Sequence, residues 1–144
     1  WHNKHIAEQV KQDDDCRRLQ EMPGFGPIVS YAFKSWIGSG KQFKRGRDAS
    51  AALGVVPKQH SSADKAQLFG ITKKGDSYVR SLIVHGARSV LRQAEKKDDP
   101  LSQWINRLVA TRGKNKATVA LANKLIRLAW VVISRQENYC PKPI

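Results

Sequence analysis

The sequence predicts an all-α fold of five to seven helices, and three observations predict it. Apolar residues recur at spacings of three and four over several long stretches. Asp76 and the pair Asp99-Pro100 stand where such stretches begin, as helix-starting residues do. No strand-like alternation, hairpin turn signal, internal repeat or low-complexity segment stands out. At 144 residues the chain is one domain by length, large enough to bury a core without disulfides or metals.

Residues 4–19 read as a polar helix with sparse apolar positions at Ile6, Ala7, Val10 and Leu19. Asp13-Asp14-Asp15 points three carboxylates in different directions around a helix, so it reads as a helix break or cap and not as a metal site. Next comes Met22-Pro23-Gly24-Phe25-Gly26-Pro27. Pro-Gly-x-Gly between helical segments allows a tight turn, and Pro27 fits the first turn of the following helix. Free N–H groups at that helix start would suit phosphate. The stretch resembles a helix-hairpin-helix motif, with Leu19 and Ala32 as packing positions and Gly24 and Gly26 as backbone phosphate contacts; a plain helical corner would look similar.

Gly38-Ser39-Gly40-Lys41 lacks the full spacing of a nucleotide-binding phosphate loop and reads as a helix exit, followed by the basic run Lys41, Lys44, Arg45 and Arg47. Asp48 is expected to cap a short helix over 49–53 that Gly54 ends. After Asp76 the stripe Val79, Leu82, Ile83, Gly86, Val90 and Leu91 marks a helix, with Arg80, Arg88 and Arg92 off the stripe and His85 at its edge. Asp99-Pro100 starts another, with Leu101, Trp104, Ile105, Leu108 and Val109 inward. Residues 113–116 read as a basic turn, and 117–134 as the most apolar helix, at the centre of the core. Trp36, Trp104 and Trp130 read as core anchors and not as base-stacking platforms.

The charge balance separates this chain from an ordinary globular one. Twenty-six Lys and Arg against twelve Asp and Glu give a net charge of +14, the footprint of a nucleic-acid binder. Residues 1–21 sum to −1, whereas residues 22–47 carry five bases and no acid. A polyanion would meet the middle of the chain first. No segment reaches the ~18 apolar residues of a membrane span, so no membrane partner is expected. Cys16 and Cys140 have no metal or redox spacing, which makes a reducing cytoplasm the default.

Residues 53–75 have no period of their own and lie between two helical patterns, as long functional loops do. Two adjacent hydroxyls, Ser61 and Ser62, share this stretch with His60 and the lysines Lys58, Lys65, Lys73 and Lys74, a composition that suits phosphate chemistry.

The order of motifs resembles the C-terminal domain of IS110-type transposases, the IS116/IS110/IS902 family. The residues that carry the resemblance are Met22-Pro23-Gly24-Phe25-Gly26-Pro27, Leu53-Gly54-Val55-Val56-Pro57-Lys58-Gln59-His60-Ser61-Ser62, Ile71-Thr72-Lys73-Lys74-Gly75, Tyr78-Val79-Arg80 and Gly86-Ala87-Arg88. Two later motifs, Lys97-Asp98-Asp99-Pro100-Leu101 and Ala120-Leu121-Ala122-Asn123-Lys124-Leu125, continue it. The resemblance implies a serine nucleophile five residues after the loop proline, which is Ser62 after Pro57, with the adjacent Ser61 as the other candidate. It implies DNA contacts at Gly24, Gly26, Lys58, His60, Lys65, Thr72, Lys73, Lys74 and Arg80. It also implies a RuvC-like N-terminal domain holding a divalent metal such as Mg, a guide RNA encoded by the element, and a homo-oligomer when full-length. Residues 1–21 would then be the end of a connecting helical segment and 22–144 the DNA-binding, catalytic-serine domain, with no metal site of its own. Starting at Trp1, the chain is expected to be part of a longer protein.

Ala63-Asp64 and Leu68-Phe69 depart from the Gly-Gly and Leu-Gly pairs usual in relatives, and Gln67 replaces a common Arg. Asp64 would place a negative charge near a phosphate. A non-enzymatic helix-hairpin-helix module is the alternative. A hydrolytic serine enzyme is third, since no G-x-S-x-G elbow is present.

Overall fold

The computed structural model describes residues 2–55 and 76–140, and among them it holds seven helices and no strand. They are α1 (His2–Gln12), α2 (Asp14–Leu19), α3 (Pro27–Ile37), α4 (Gly46–Leu53), α5 (Ser77–Ala94), α6 (Pro100–Arg112) and α7 (Lys114–Arg135). The all-α expectation holds.

The local signals explain most boundaries. Asp13 ends the polar N-terminal helix and caps α2, its Oδ1 accepting from the N–H groups of Asp15 at 2.9 Å and Cys16 at 3.2 Å. Asp76 caps α5 through the N–H groups of Tyr78 and Val79, and Asp99 caps α6 through Ser102. The Ser102 hydroxyl donates to the other Asp99 oxygen at 2.7 Å, and this bond holds the carboxyl below its ordinary pKa. Gly54 closes α4 in the left-handed region at φ 85°.

Two boundaries differ from the sequence reading. Helix α4 begins at Gly46, so Asp48 lies in its first turn and Arg45 is the cap residue. The start is set by packing: a Cβ at Gly46 would lie 3.0 Å from Cβ of Arg127 on α7. In place of the basic turn over 113–116, Gly113 alone, at φ 87°, separates α6 from α7.

Helix α7 is the centre. It touches α2, α4, α5 and α6, and it buries Leu121, Leu125, Ile126, Ala129, Trp130 and Ile133. Each fully buried Leu or Ile contributes roughly 1.5–3 kcal/mol of transfer free energy. Helix α7 has 22 residues and contains an 18-residue stretch of mean hydropathy 1.4, long and apolar enough to cross a membrane by length and composition, which the sequence reading did not register. More than half of that stretch is buried against the neighbouring helices, the pattern of a core helix. Trp130 is the anchor expected, its Nε1 donating to Gly40 O at 2.9 Å; Trp36 and Trp104 pack half-buried on the core.

The α2–α3 turn rests on α5 through two glycines. A Cβ on Gly86 would lie 2.5 Å from Gly24 O, and one on Gly24 would lie 3.1 Å from Gly86 O. Gly24 itself has φ 78°, so both space and backbone conformation demand glycine there. Helix α1 packs on α2 and α3, and α2 on α3 and α7, with Val10, Cys16 and Leu19 buried.

Gly86→Ala is expected to destabilise the fold by roughly 1–3 kcal/mol through overpacking, although Ala is favoured over Gly by about 1 kcal/mol in an open helix. A urea midpoint equal to or above wild type would refute the contact. Burial, reinforced by Asp13 and opposed by Lys34, pushes the Cys16 thiol from 9.0 up to about 11. Between those values the unfolded chain releases a proton that the folded chain keeps, so this group's contribution to stability falls as pH rises through that window. A thiol reagent at about pH 8 should therefore label exposed Cys140 in the native chain and reach Cys16 only after denaturation.

Candidate nucleic-acid interface

The site begins where α4 ends and α5 starts. Leu53 and Val55 are fully buried, and the half-buried guanidinium of Arg80 donates from Nη1 to Leu53 O at 3.3 Å. That carbonyl belongs to the last turn of α4, where acceptors lack helical partners and a cation is favoured. The exit of α4 and the entry of α5 are thereby tied together, and with them the two ends of segment 56–75. Tyr78, 60% exposed, stands on the first turn of α5 beside this junction.

Ser61, Ser62, Lys58, His60, Lys65, Thr72, Lys73 and Lys74 fall in segment 56–75, outside the described residues, as do Ala63, Asp64, Gln67 and Phe69. Of the residues expected at the site, the described part contains Gly24, Gly26 and Arg80. Arg80 has a structural task at Leu53 O that sequence periodicity could not reveal, because the partner is a backbone carbonyl 27 positions away.

The second feature is the start of α3. Gly26 is its N-cap residue, has no side chain with which to cap, and has open space around it. Pro27 has no N–H, and Ser30 N bonds Gly26 O at 3.0 Å. The N–H groups of Ile28 and Val29 therefore have no helical acceptor. No acidic residue occupies the first turn, so the positive end of the helix is uncompensated. The start of α3 opens onto a shallow groove of about 390 Å³, between Gly24, Gly26 and Val29 on one side and Leu82, His85 and Ser89 of α5 on the other. Helix α2, the turn over 20–26 and α3 follow one another here. Gly24, within that turn, is explained by its contact with Gly86.

The acidic triplet is engaged locally. Asp13 caps α2, Asp14 pairs with Arg17, and Asp15 pairs with Arg18 at 2.8 Å and Lys34 at 2.6 Å. Among the described residues no group of three His, Cys, Asp or Glu side chains is placed to hold a metal ion.

Residues 16–101 match the transposase IS116/IS110/IS902 family. The chain is 41% identical over 138 residues to the transposase for insertion sequence element IS1111A of Coxiella burnetii, covering 96% of this chain and 38% of that protein. It is 41% identical over 138 residues to a probable family 20 transposase of Pseudomonas aeruginosa, covering 96% of this chain and 41% of the relative. With the transposase for insertion sequence element IS1328 of Yersinia enterocolitica the identity is 35% over 132 residues, 92% of this chain and 40% of the other. The chain thus spans about two-fifths of the length of these relatives.

Arg80→Ala is expected to lower the urea midpoint by an equivalent of about 1–2 kcal/mol, since it removes a charge-assisted bond to a buried carbonyl. A midpoint unchanged from wild type would show that Arg80 does not hold the α4–α5 junction.

Proposed function

Because this chain belongs to the IS116/IS110/IS902 transposase family, we propose that it is the DNA-binding, serine-bearing part of a transposase, which cuts and rejoins DNA. The observation that carries this reading is the extent of the family match: it spans segment 56–75 together with all of α4 and α5, the helices that flank that segment.

In this reading Ser62, or Ser61 beside it, attacks a scissile phosphodiester through its hydroxyl oxygen. A serine O–P bond forms as the P–O bond to one deoxyribose oxygen breaks, and the departing oxygen takes up a proton. The phosphodiester is kept as a protein–DNA link, so the free DNA end that later attacks it restores the original bond type and releases the serine. The serine must lose its proton, and His60 is the nearest base in sequence. Charge building on the phosphorus is offset by Lys65, Lys73 and Lys74, with Lys58 and Thr72 as further DNA contacts. Gly24, Gly26 and the uncapped start of α3 receive a backbone phosphate, in the manner of helix N-termini that bind anions. Arg80 holds the end of α4 to the start of α5, the two helices that flank segment 56–75.

The reading expects a RuvC-like N-terminal domain, a guide RNA, a homo-oligomer in the full-length protein and a cytoplasmic setting. A divalent metal such as Mg would belong to the RuvC-like domain. Asp13, Asp14, Asp15, Asp48, Asp76 and Asp99 are engaged in caps and ion pairs, and no step is assigned to a metal held by this chain. The alternative, a helix-hairpin-helix module that binds nucleic acid without chemistry, draws on the uncapped start of α3 and on Ala63-Asp64 beside the serines.

The test uses the full-length parent protein with its own element ends. Ser62→Ala should abolish both recombination and the covalent protein–DNA species, with DNA affinity within about twofold of wild type. Loss with Ser61→Ala alone would move the nucleophile by one residue. Recombination that survives both substitutions would leave the binding module as the function.

A further inference from the structure

The connection between α3 and α4, residues 38–45, is held rigidly from below. Gly40 lies under the Trp130 ring and accepts its Nε1 hydrogen bond at 2.9 Å. The side chain of Gln42 donates to Ile37 O at 3.0 Å, and Phe43 N donates to Gly40 O at 3.2 Å. The Phe43 ring stacks on Trp36 with centroids 6.1 Å apart. Gly46 then seats the start of α4 against the backbone of Arg127. Around these anchors Lys41, Lys44, Arg45, Arg47 and Arg127 are all exposed.

Almost nothing offsets them. Asp48 is the one acid on the connection or on α4, and it reaches Arg45 at 3.5 Å. Among the described residues Lys41, Lys44, Arg47 and Arg127 form no ion pair. Lys124 lies one turn from Arg127, over the Trp104 ring at 5.3 Å, and burial together with Arg127 weakens its hold on its proton. Like charges so placed repel one another and oppose folding. A polyanion would relieve that repulsion.

The chemistry of the patch narrows the partner. Phe43 is occupied by Trp36, Trp104 carries Lys124, and Trp130 is buried, so no free aromatic face is offered to an unstacked base. Such a surface reads phosphates, not bases. Helix α3 has 11 residues and α4 has 8. At 1.5 Å per residue, the patch lies about 16 Å from the start of α3 and about 12 Å from the end of α4.

We infer that Lys41, Lys44, Arg45, Arg47 and Arg127 form a sequence-independent anchor for the phosphate backbone of duplex DNA, about 12 Å from the end of α4. The inference rests on the DNA-recombination reading and adds a contact surface apart from the serine loop and from the start of α3. A backbone held there positions the duplex relative to the end of α4 without reading its sequence.

The test is fluorescence anisotropy of the 144-residue chain on a labelled duplex of about 30 base pairs, between about 50 and 200 mM salt. Three proteins are compared: wild type, K41Q/K44Q/R47Q/R127Q, and the equal-charge control K4Q/K11Q/K96Q/K97Q. All eight positions are exposed, and circular dichroism melts check that both variants fold. The patch variant should bind about tenfold or more weakly at 0.1 M salt, and its log–log salt slope should be shallower by about 3. The control should lose less than about threefold. Equal losses in both variants, an unchanged patch variant, or tighter binding of a hairpin RNA than of the duplex would overturn the inference. A wild-type chain that binds no duplex overturns it together with the DNA-binding reading. The serine reading fails separately, in the recombination assay of Ser62→Ala.

Discussion

The backbone of Gly24 lies directly on the backbone of Gly86, and the arrangement of the site depends on that contact. Two side-chain-free positions let the turn after α2 sink onto α5 until carbonyl and Cα almost meet. Any side chain at Gly86 would lift the turn away and carry the start of α3 with it. With the turn seated, the unfilled N–H groups of α3 open beside the outer face of α5. Near its N-terminus, α5 is tied to α4 by the bond from Arg80 to Leu53 O. One long helix therefore sets the position of both the uncapped helix start and the end of α4.

A protein with a net charge of +14 must fold against its own repulsion, and the structure shows where that repulsion is and is not relieved. The acids of α2 are consumed at short range by Arg17, Arg18 and Lys34. The connection from α3 to α4 has only Asp48 to balance its cations. Helix α7 offsets this by burying apolar residues on almost every side, so that hydrophobic contacts carry the stability. Exposed cations are then left available for an outside anion.

Elements with local causes were legible in the sequence. The caps Asp13, Asp76 and Asp99, the terminator Gly54, the break within residues 4–19 and the apolar stripe of α5 each follow from residue type and spacing, and each is in place. The starts of α4 and α7 were misplaced because packing and a single glycine decided them: Gly46 is fixed by Arg127 81 positions away, and Gly113 turns the chain alone. The site was legible in part. Gly26 stands at an open helix start as the turn chemistry indicates, whereas the tasks of Gly24 at Gly86 and of Arg80 at Leu53 come from contacts that leave no periodic trace. Arg127 was missed for the same reason. Its only signal was a cation off the apolar stripe of the core helix, and nothing local joins it to Lys41, Lys44, Arg45 and Arg47.

The division between rigid and variable parts has a physical logic. Closing a loop costs little more as it lengthens, roughly 0.6 kcal/mol for each doubling, provided that its ends are already held together. Here the end of α4 and the start of α5, which flank residues 56–75, are joined by the Arg80 bond to Leu53 O beside a buried Val55. The anchors below residues 38–45 are of the opposite kind: Trp130, Trp36 and Gly46 belong to the core, so losing the geometry of the basic patch would mean losing core packing as well.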